Sequence, residues 1–292
     1  MTEKCILYLS GGVMSGVFGA GILTSLQEKD AYGRIACIYS GSAGAINGAY
    51  FLARQSPLGS TIYFEDLTKG FIHPTEIFTG TLQRFWSRYI SQISPKKMHN
   101  PVDIDYLFDV IINKKPLDTK ALQQQPIPLY VKLLDMKKCE IEYKDARRDT
   151  LGTLKSSVSA VPYYFPSCNH ESIDGDCADP LGLDILLKHH QDEKIIIAFN
   201  YTPNLGLRYT VKNTLEGMVA SAIYDSRISR LFRAKNNRLI RDIKNAGKNN
   251  RILLIYPPKE SPTKPSTTNP KKLKTTYEMG KRAANKILEF IE

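Results

Sequence analysis

Hydrophobic positions along the chain follow two repeat lengths. Short apolar runs bounded by glycine, proline or polar residues are typical of buried strands, and longer stretches with an apolar residue every three or four positions are typical of helices. Strands are predicted at 6–9, 35–39, 129–135, 194–200 and 251–258, with an alternating hairpin partner at 139–143. Helices are predicted after the first two strands and at 150–160, 214–244 and 275–290.

Strands that alternate with helices predict an α/β protein with a largely parallel central sheet. The proline-interrupted segment 58–126 is predicted to be mostly helical, and the aromatic stripe within it at 77–93 fits a core-facing helix or the wall of an acyl pocket. We treat 1–292 as one domain, with a mobile Pro/Ser/Thr/Lys-rich loop at 258–270 and a C-terminal helix at 271–292.

Composition places the chain among globular proteins. Its 292 residues, 42% of them hydrophobic, are enough for a sizeable core. The sequence contains no run of about 18 apolar residues, so no transmembrane helix is predicted. The first residues enter a strand directly, without an ordinary secretory leader. The predicted location is therefore cytoplasmic, with membrane association and nonclassical secretion left open.

The five cysteines are odd in number and irregularly spaced, which favours reduced thiols. A metal site at Cys168, His170 and Cys177 is the alternative, although the spacing does not match a zinc motif. We therefore expect no metal and no cofactor.

The formal net charge is +11, and the basic residues cluster at 208–251 and again at 259–286. Such clusters attract anionic lipid headgroups or nucleic acid, or they simply keep a surface solvated. Because no nucleic-acid-binding module is recognisable, an anionic membrane surface is the predicted partner and nucleic acid is not.

The strongest chemical signal is the turn Ser40-Gly41-Ser42-Ala43-Gly44, between the second strand and its helix. A tight strand-to-helix turn of small residues is the setting of a nucleophile elbow, which exposes its serine at a helix N-terminus. The strict pattern is G-x-S-x-G, and Ser40 stands in place of its first glycine. The alternative is a small-residue turn with a capping serine.

A glycine-rich loop, 10–16, follows the first strand and leaves backbone N–H groups uncovered. Such groups suit either phosphate binding or an oxyanion hole. A dinucleotide site would need an acidic residue at the end of the second strand, where this chain has the serine-containing turn instead. An oxyanion loop followed by a nucleophile is therefore the preferred interpretation.

These motifs resemble the patatin-like phospholipases, a family of serine lipid acyl hydrolases. The matching segments are the glycine-rich loop, the turn at Ser42, the Ser/Ala/Pro-rich segment 156–166 and the loop Ile173-Asp174-Gly175-Asp176. The resemblance extends from Ile6 to the C-terminal helix. The chain departs from the family pattern at Val13, Ser15, Ser40 and Asp176.

The resemblance implies a three-layer α/β/α patatin-like fold and a serine hydrolase with a Ser42–Asp174 dyad. Asp174 would accept the proton of Ser42, and His170 is the alternative base. The implied oxyanion hole consists of Gly11, Gly12, Val13 and Met14. Residues that support the turn and the loops are Gly16, Ser40, Gly41, Ala43, Gly44 and Gly175.

The expected substrate is a phospholipid or another acyl lipid, cleaved at a carboxylic ester. Two alternatives remain open. One is a catalytically impaired member that binds lipid or a protein partner, and the other is an esterase for small soluble esters.

Overall fold

The computed structural model describes residues 4–73, 100–161, 163–164, 171–203, 211, 213–219 and 226–292. The aromatic stripe predicted at 77–93 lies outside the described residues. No helix within the described ranges is long and apolar enough to cross a membrane.

The described strands form one seven-stranded sheet, in which the order is β4-β3-β2-β1-β6-β7 and β5 pairs with β3. Strands β3, β2, β1, β6 and β7 run parallel, whereas β4 and β5 are antiparallel to β3. The largely parallel sheet predicted from the sequence is therefore confirmed. The strands are β1 (Cys5–Leu9), β2 (Ile35–Ser40), β3 (Leu129–Asp135), β4 (Glu140–Asp145), β5 (Ser172–Asp174), β6 (Ile195–Ala198) and β7 (Ile252–Ile255).

Helices connect these strands. They are α1 (Val17–Glu28), α2 (Ala43–Leu52), α3 (Ser56–Thr61), α4 (Ile104–Asp109), α5 (Thr119–Gln123), α6 (Thr150–Val158), α7 (Leu183–His189), α8 (Ser226–Ala246) and α9 (Pro270–Ile291). Helix α8 covers the second part of the helix predicted at 214–244, and 213–219 is helical as well. Helix α9 begins at Pro270, next to the predicted 271 and before the 275 that periodicity indicates, because Asn269 caps it by accepting the Lys272 N–H at 3.1 Å.

Alternate residues along each strand face opposite sides of the sheet, and both sides are covered by helices. Leu7, Leu9 and Ile38 belong to a core shared with α1, α2 and α9. Ile6, Tyr8 and others belong to a second core that includes residues of α7 and α8. The three-layer α/β architecture follows directly from these two cores, and it agrees with the fold that the family resemblance implies.

The segment before α9 is held by its own contacts. Lys264 N–H donates to Thr267 Oγ1 at 2.8 Å, Thr267 N–H returns a bond to the Lys264 carbonyl at 2.9 Å, and Thr263 Oγ1 lies 2.6 Å from Thr276 Oγ1 of α9. The predicted mobility of 258–270 stays a prediction.

The first turn of α2 lies directly against the end of β1. Gly44 has no side chain, and an added Cβ there would overlap the Leu9 carbonyl oxygen and lie 2.7 Å from the Ser10 carbonyl oxygen. Both atoms belong to the backbone and cannot move aside. Gly44 therefore sets the distance between the strand end and the helix that follows Ser42.

We predict that Gly44→Ala lowers stability by about 1–3 kcal/mol, because the backbone clash outweighs the gain in helix propensity. The midpoint of thermal unfolding should fall by several degrees. Gly33→Ala is the matched control, since nothing lies within 4 Å of a Cβ built at Gly33. An unchanged midpoint for Gly44→Ala would contradict the close packing.

Candidate active site

Ser42 lies between β2 and α2 in a strained backbone conformation. Its φ of 49° and ψ of −127° are unusual for a residue that has a side chain. Its N–H donates to Ser157 Oγ of α6 at 2.8 Å, and the residue is 8% exposed. Such strain persists only where the surrounding structure enforces it, as in a nucleophile elbow.

The structure brings Asp174 to Ser42, as the sequence predicts. Asp174 is the last residue of β5, and its N–H donates to the Ser159 carbonyl at 3.3 Å. Its carboxylate accepts the Asp176 N–H at 2.9 Å and interacts with the Ser42 hydroxyl. Strand β5 was not predicted, because three residues are too short a run to show a hydrophobic pattern.

Burial raises the pKa of Asp174 from 3.8 to about 7, and the negative charge of Asp176 adds to that rise. The Asp176 N–H, the Ser42 hydroxyl and the more distant Lys235 act in the opposite direction. The carboxyl is 3% exposed and therefore poorly solvated when charged. A pKa near neutrality suits a general base.

Asp176, one of the departures from the family pattern, has a charged partner. Its Oδ1 lies 2.9 Å from the ammonium of Lys132 on β3, as a charge contact without the alignment of a hydrogen bond. Lys132 is completely buried, and its ammonium donates to the Tyr8 hydroxyl at 2.6 Å. Burial alone would lower the pKa of Lys132, but the negative charge of Asp176 and the contact with the Tyr8 hydroxyl raise it well above its usual range.

The predicted oxyanion loop lies against Ser42, but its four residues differ in their hydrogen bonding. The Gly11 N–H donates to Asp176 Oδ2 at 3.1 Å, and the Met14 N–H donates to the Pro265 carbonyl at 3.3 Å. These two N–H groups are thus engaged here, whereas the family resemblance implies an oxyanion hole of all four residues. The N–H groups of Gly12 and Val13 have no hydrogen-bond acceptor within the described part of the chain.

The backbone conformation of the glycine-rich loop explains why glycine occurs at position 12, and it shows that Val13 is strained. Gly12 has a φ of 147°, which favours glycine, and Val13 has a φ of 51°. A β-branched residue in that region is strained, by roughly 1–3 kcal/mol. The departure at Val13 therefore changes the stability of the loop without removing its main-chain N–H.

Two polar residues that sequence reasoning missed hold these loops. Asn200, after β6, donates to the Ser10 carbonyl at 2.5 Å and accepts the Gly19 N–H at 2.8 Å. Asn47 of α2 donates to the Gly16 carbonyl at 2.8 Å. A polar residue within an otherwise apolar helix or just after a buried strand was the available signal.

The glycines that support the turn and the loops lie in close contact with neighbouring side chains, including that of Asp176. A Cβ on Gly41 would overlap the Asp176 carboxylate, and one on Gly175 would lie 2.7 Å from Lys132 Cγ. Gly16 likewise has no room for a side chain beside Tyr63, and the Ser40 hydroxyl is buried without a hydrogen-bond partner within the described residues. Small residues at these positions let the glycine-rich loop, the turn at Ser42 and the loop after Asp174 come into contact.

An apolar cavity of about 540 Å³ opens beside Ser42. Its size falls within the range of roughly 300–1,000 Å³ that is usual for small-molecule sites. Residues that line it include Val13, Ser42, Ala43, Ile46, Leu107 and Lys264. The predicted nucleophile and part of the oxyanion loop thus share one wall.

The other candidates are not supported in the same way. His170 and Cys168 lie outside the described residues, and no group of three or more potential metal ligands occurs within them. His190 contacts Tyr39 at 3.1 Å and Glu193 at 3.4 Å. The described cysteines Cys5, Cys37 and Cys177 are free thiols.

Comparisons with known proteins give limited similarity. A family described as a domain of unknown function (DUF6363) matches residues 233–292, a part of the chain that includes β7 and α9. No curated protein sequence matches the chain. The crystal structure of VipD from Legionella pneumophila is similar with a TM-score of 0.46 and 14% sequence identity, over 99% of this chain and 67% of VipD. At these values the comparisons assign no activity.

The raised pKa of Asp174 predicts a pH-dependent effect of Asp174→Asn on stability. Between pH 3.8 and about 7 the folded protein binds a proton that the unfolded chain has lost, so this group makes the fold less stable as pH rises through that window. Asparagine does not ionise. The variant should therefore gain a few degrees in unfolding midpoint relative to wild type at pH 8, and a smaller amount at pH 5.

Thermal unfolding at the two pH values measures this difference. Asp118→Asn is the control, since the exposed Asp118 caps α5 and asparagine is an equally good cap. A variant that is relatively less stable at pH 8 than at pH 5 would contradict the raised pKa.

Proposed function

We propose that the protein hydrolyses carboxylic esters of acyl lipids through an acyl-enzyme on Ser42, with Asp174 as the base. The observation that carries the proposal is the strained Ser42 beside the buried Asp174, on the wall of an apolar cavity. Each part alone has a structural explanation. Their coincidence at the carboxyl ends of parallel strands, where α/β proteins bind ligands, supports a catalytic site.

The cavity favours a lipid over a small polar ester. Apolar side chains such as Ile46, Leu67, Ile104 and Leu107 make up most of its wall. A hydrocarbon chain would remove that surface from water, which stabilises binding by about 25 cal/mol per Å². Lys264 also lines the cavity, and its positive charge could pair with the phosphate or carboxylate of a lipid.

In the proposed reaction, Ser42 Oγ attacks the ester carbonyl while its proton passes to Asp174. The tetrahedral intermediate collapses, the C–O bond to the alcohol breaks, and the alcohol oxygen takes the proton from Asp174. Water then repeats the sequence on the acyl-enzyme and releases a fatty acid and free Ser42.

The developing oxyanion needs N–H donors. Gly12 and Val13 offer two from the glycine-rich loop, and Ala43, the residue after the nucleophile, offers a third at the N-terminus of α2. None of the three donates to an acceptor within the described residues. One such donor typically contributes about 3–4 kcal/mol to transition-state stabilisation.

We predict that Ser42→Ala and Asp174→Asn each remove nearly all fatty-acid release from mixed phospholipid liposomes. The double variant should be no slower than the slower single variant, because both residues serve one proton transfer. Circular dichroism and unfolding midpoints check that each variant is folded. A double variant far slower than either single variant would show that the two residues act independently.

Two further measurements separate the alternatives. A fluorophosphonate label should react with wild type and not with Ser42→Ala, whereas a binding-only protein would leave both unlabelled. Rates on phospholipids and on short soluble esters distinguish a lipid hydrolase from a small-ester esterase. Preference for the short esters would overturn the lipid assignment.

We also propose that α8 helps hold the protein at an anionic membrane surface, on the cytoplasmic side where thiols stay reduced. One side of the helix packs inward through Ile228, Phe232 and Leu239. The exposed basic residues of the helix are Arg227, Arg230, Arg233, Arg241 and Lys244, and the exposed Lys248 follows its end. Lys235 is half-buried and acts on Asp174, so it does not belong to this exposed set.

Replacing Arg230, Arg233 and Lys244 by glutamine should weaken binding to anionic liposomes by at least tenfold. Each basic residue near such a surface contributes about 1 kcal/mol, and that contribution fades as salt shortens the Debye length. Sedimentation with liposomes of graded anionic content and salt measures the change. Glutamine at the exposed Lys120, Lys188 and Lys286 removes the same charge elsewhere as a control. Equal binding by both triple variants would reject a specific role for α8.

A further inference from the structure

Asp176 is more than a replacement for a small residue. Its Oδ2 accepts the Gly11 N–H at 3.1 Å, and its Oδ1 contacts the ammonium of Lys132 at 2.9 Å. A methyl group on Gly11 would overlap Asp176 and come within 2.8 Å of Ser42 Cβ. The carboxylate thus lies where the oxyanion loop, the nucleophile and the Asp174 turn meet.

Lys132 makes this placement possible. A carboxylate beside a forming oxyanion would repel it, and a lone buried charge is strongly unfavourable. Lys132 on β3 is 0% exposed. Its ammonium also donates to the Tyr8 hydroxyl, which in turn donates to the Pro180 carbonyl at 2.8 Å. The chain therefore carries a compensating cation for the unusual acid.

We propose that Asp176 and Lys132 are a pair of positioning residues, in which Asp176, a second carboxylate beside Asp174, holds the glycine-rich loop against Ser42 while Lys132 balances its charge. This inference rests on the proposed function of Ser42 and Asp174. It assigns a role to two residues that do not themselves touch the reacting ester.

The electrostatic surroundings of Asp174 define the expected directions. Asp176 is the nearest like charge and raises the pKa of Asp174, after burial, whereas Lys235 on α8 lowers it. Tyr8, Tyr143 and Asp179 also act on Lys132, and the neighbouring Cys177 is affected by Asp174, Asp176, Lys235 and Glu216. Removing Asp176 must therefore favour ionised Asp174, and removing Lys132 must disfavour it.

The test is the acidic limb of the pH profile of kcat/KM on phospholipid liposomes. Asp176→Asn should move the limb to lower pH by about one unit, the lower end of the shifts that a single neighbouring charge produces. Lys132→Met should move it to higher pH. The double variant should fall between Asp176→Asn and wild type. If the two residues served folding alone, Asp176→Asn and Lys132→Met would not shift the acidic limb in opposite directions.

Asp176→Ala tests the hold on the loop. Asparagine still offers an oxygen to the Gly11 N–H, and alanine does not. Alanine should therefore lower kcat at least tenfold more than asparagine does, with similar KM. Equal kcat values for the two variants would overturn the loop-holding part.

The pair Glu28 and Lys281, 2.8 Å apart on α1 and α9, supplies matched controls. Glu28→Gln and Lys281→Met make the same charge changes away from the site and should leave the limb in place. Should Lys132→Met fail to fold, Asp176→Asn and the double variant still carry the test.

Carboxyl ¹³C NMR of aspartate-labelled protein makes the test independent of activity. The Asp174 signal, assigned by its loss in Asp174→Asn, should titrate at lower pH in Asp176→Asn than in wild type. If wild type hydrolyses no lipid but this shift occurs, the proposed function fails and the electrostatic coupling stands. If wild type is active and neither the limb nor the signal moves, the inference about the pair is wrong.

Discussion

The contact between Gly44 and the Leu9 carbonyl is the constraint on which the site depends. Because α2 begins directly on the end of β1, the turn before it has no room to relax, and Ser42 is held at a positive φ. The same closeness brings the glycine-rich loop after β1 beside the turn after β2. Neighbouring parallel strands end at one edge of the sheet, so the two loops share a site without any direct link in sequence.

Charge balance is the second constraint. Two carboxylates, Asp174 and Asp176, lie two residues apart at the end of β5, and burial makes the charged form of Asp174 unfavourable. The buried ammonium of Lys132 offsets the negative charge of Asp176. A base that is half-ionised near neutral pH combines sufficient basicity with a usable fraction in the correct form. The arrangement links the fold of β3 to the chemistry proposed for Ser42.

The segment before α9 lies over the same site. The Pro265 carbonyl accepts the Met14 N–H, and Lys264 and Pro265 line the apolar cavity. Residues 264–266 fall within the part of the chain that matches the domain of unknown function. That part of the chain therefore contributes to the wall of the cavity as well as to the outer helices.

The sequence alone determined the α/β class and the order of the main strands and helices, and it predicted that Ser42 and Asp174 would lie together. Hydrophobic periodicity is local, and the small residues of a strand-to-helix turn are visible without a fold. It did not determine β5, the engagement of the Gly11 and Met14 N–H groups, or the pairing of Asp176 with Lys132. Those features depend on contacts between residues that are distant in sequence. The hydrophobic pattern of β3, for example, does not predict which carboxylate the ammonium of Lys132 contacts.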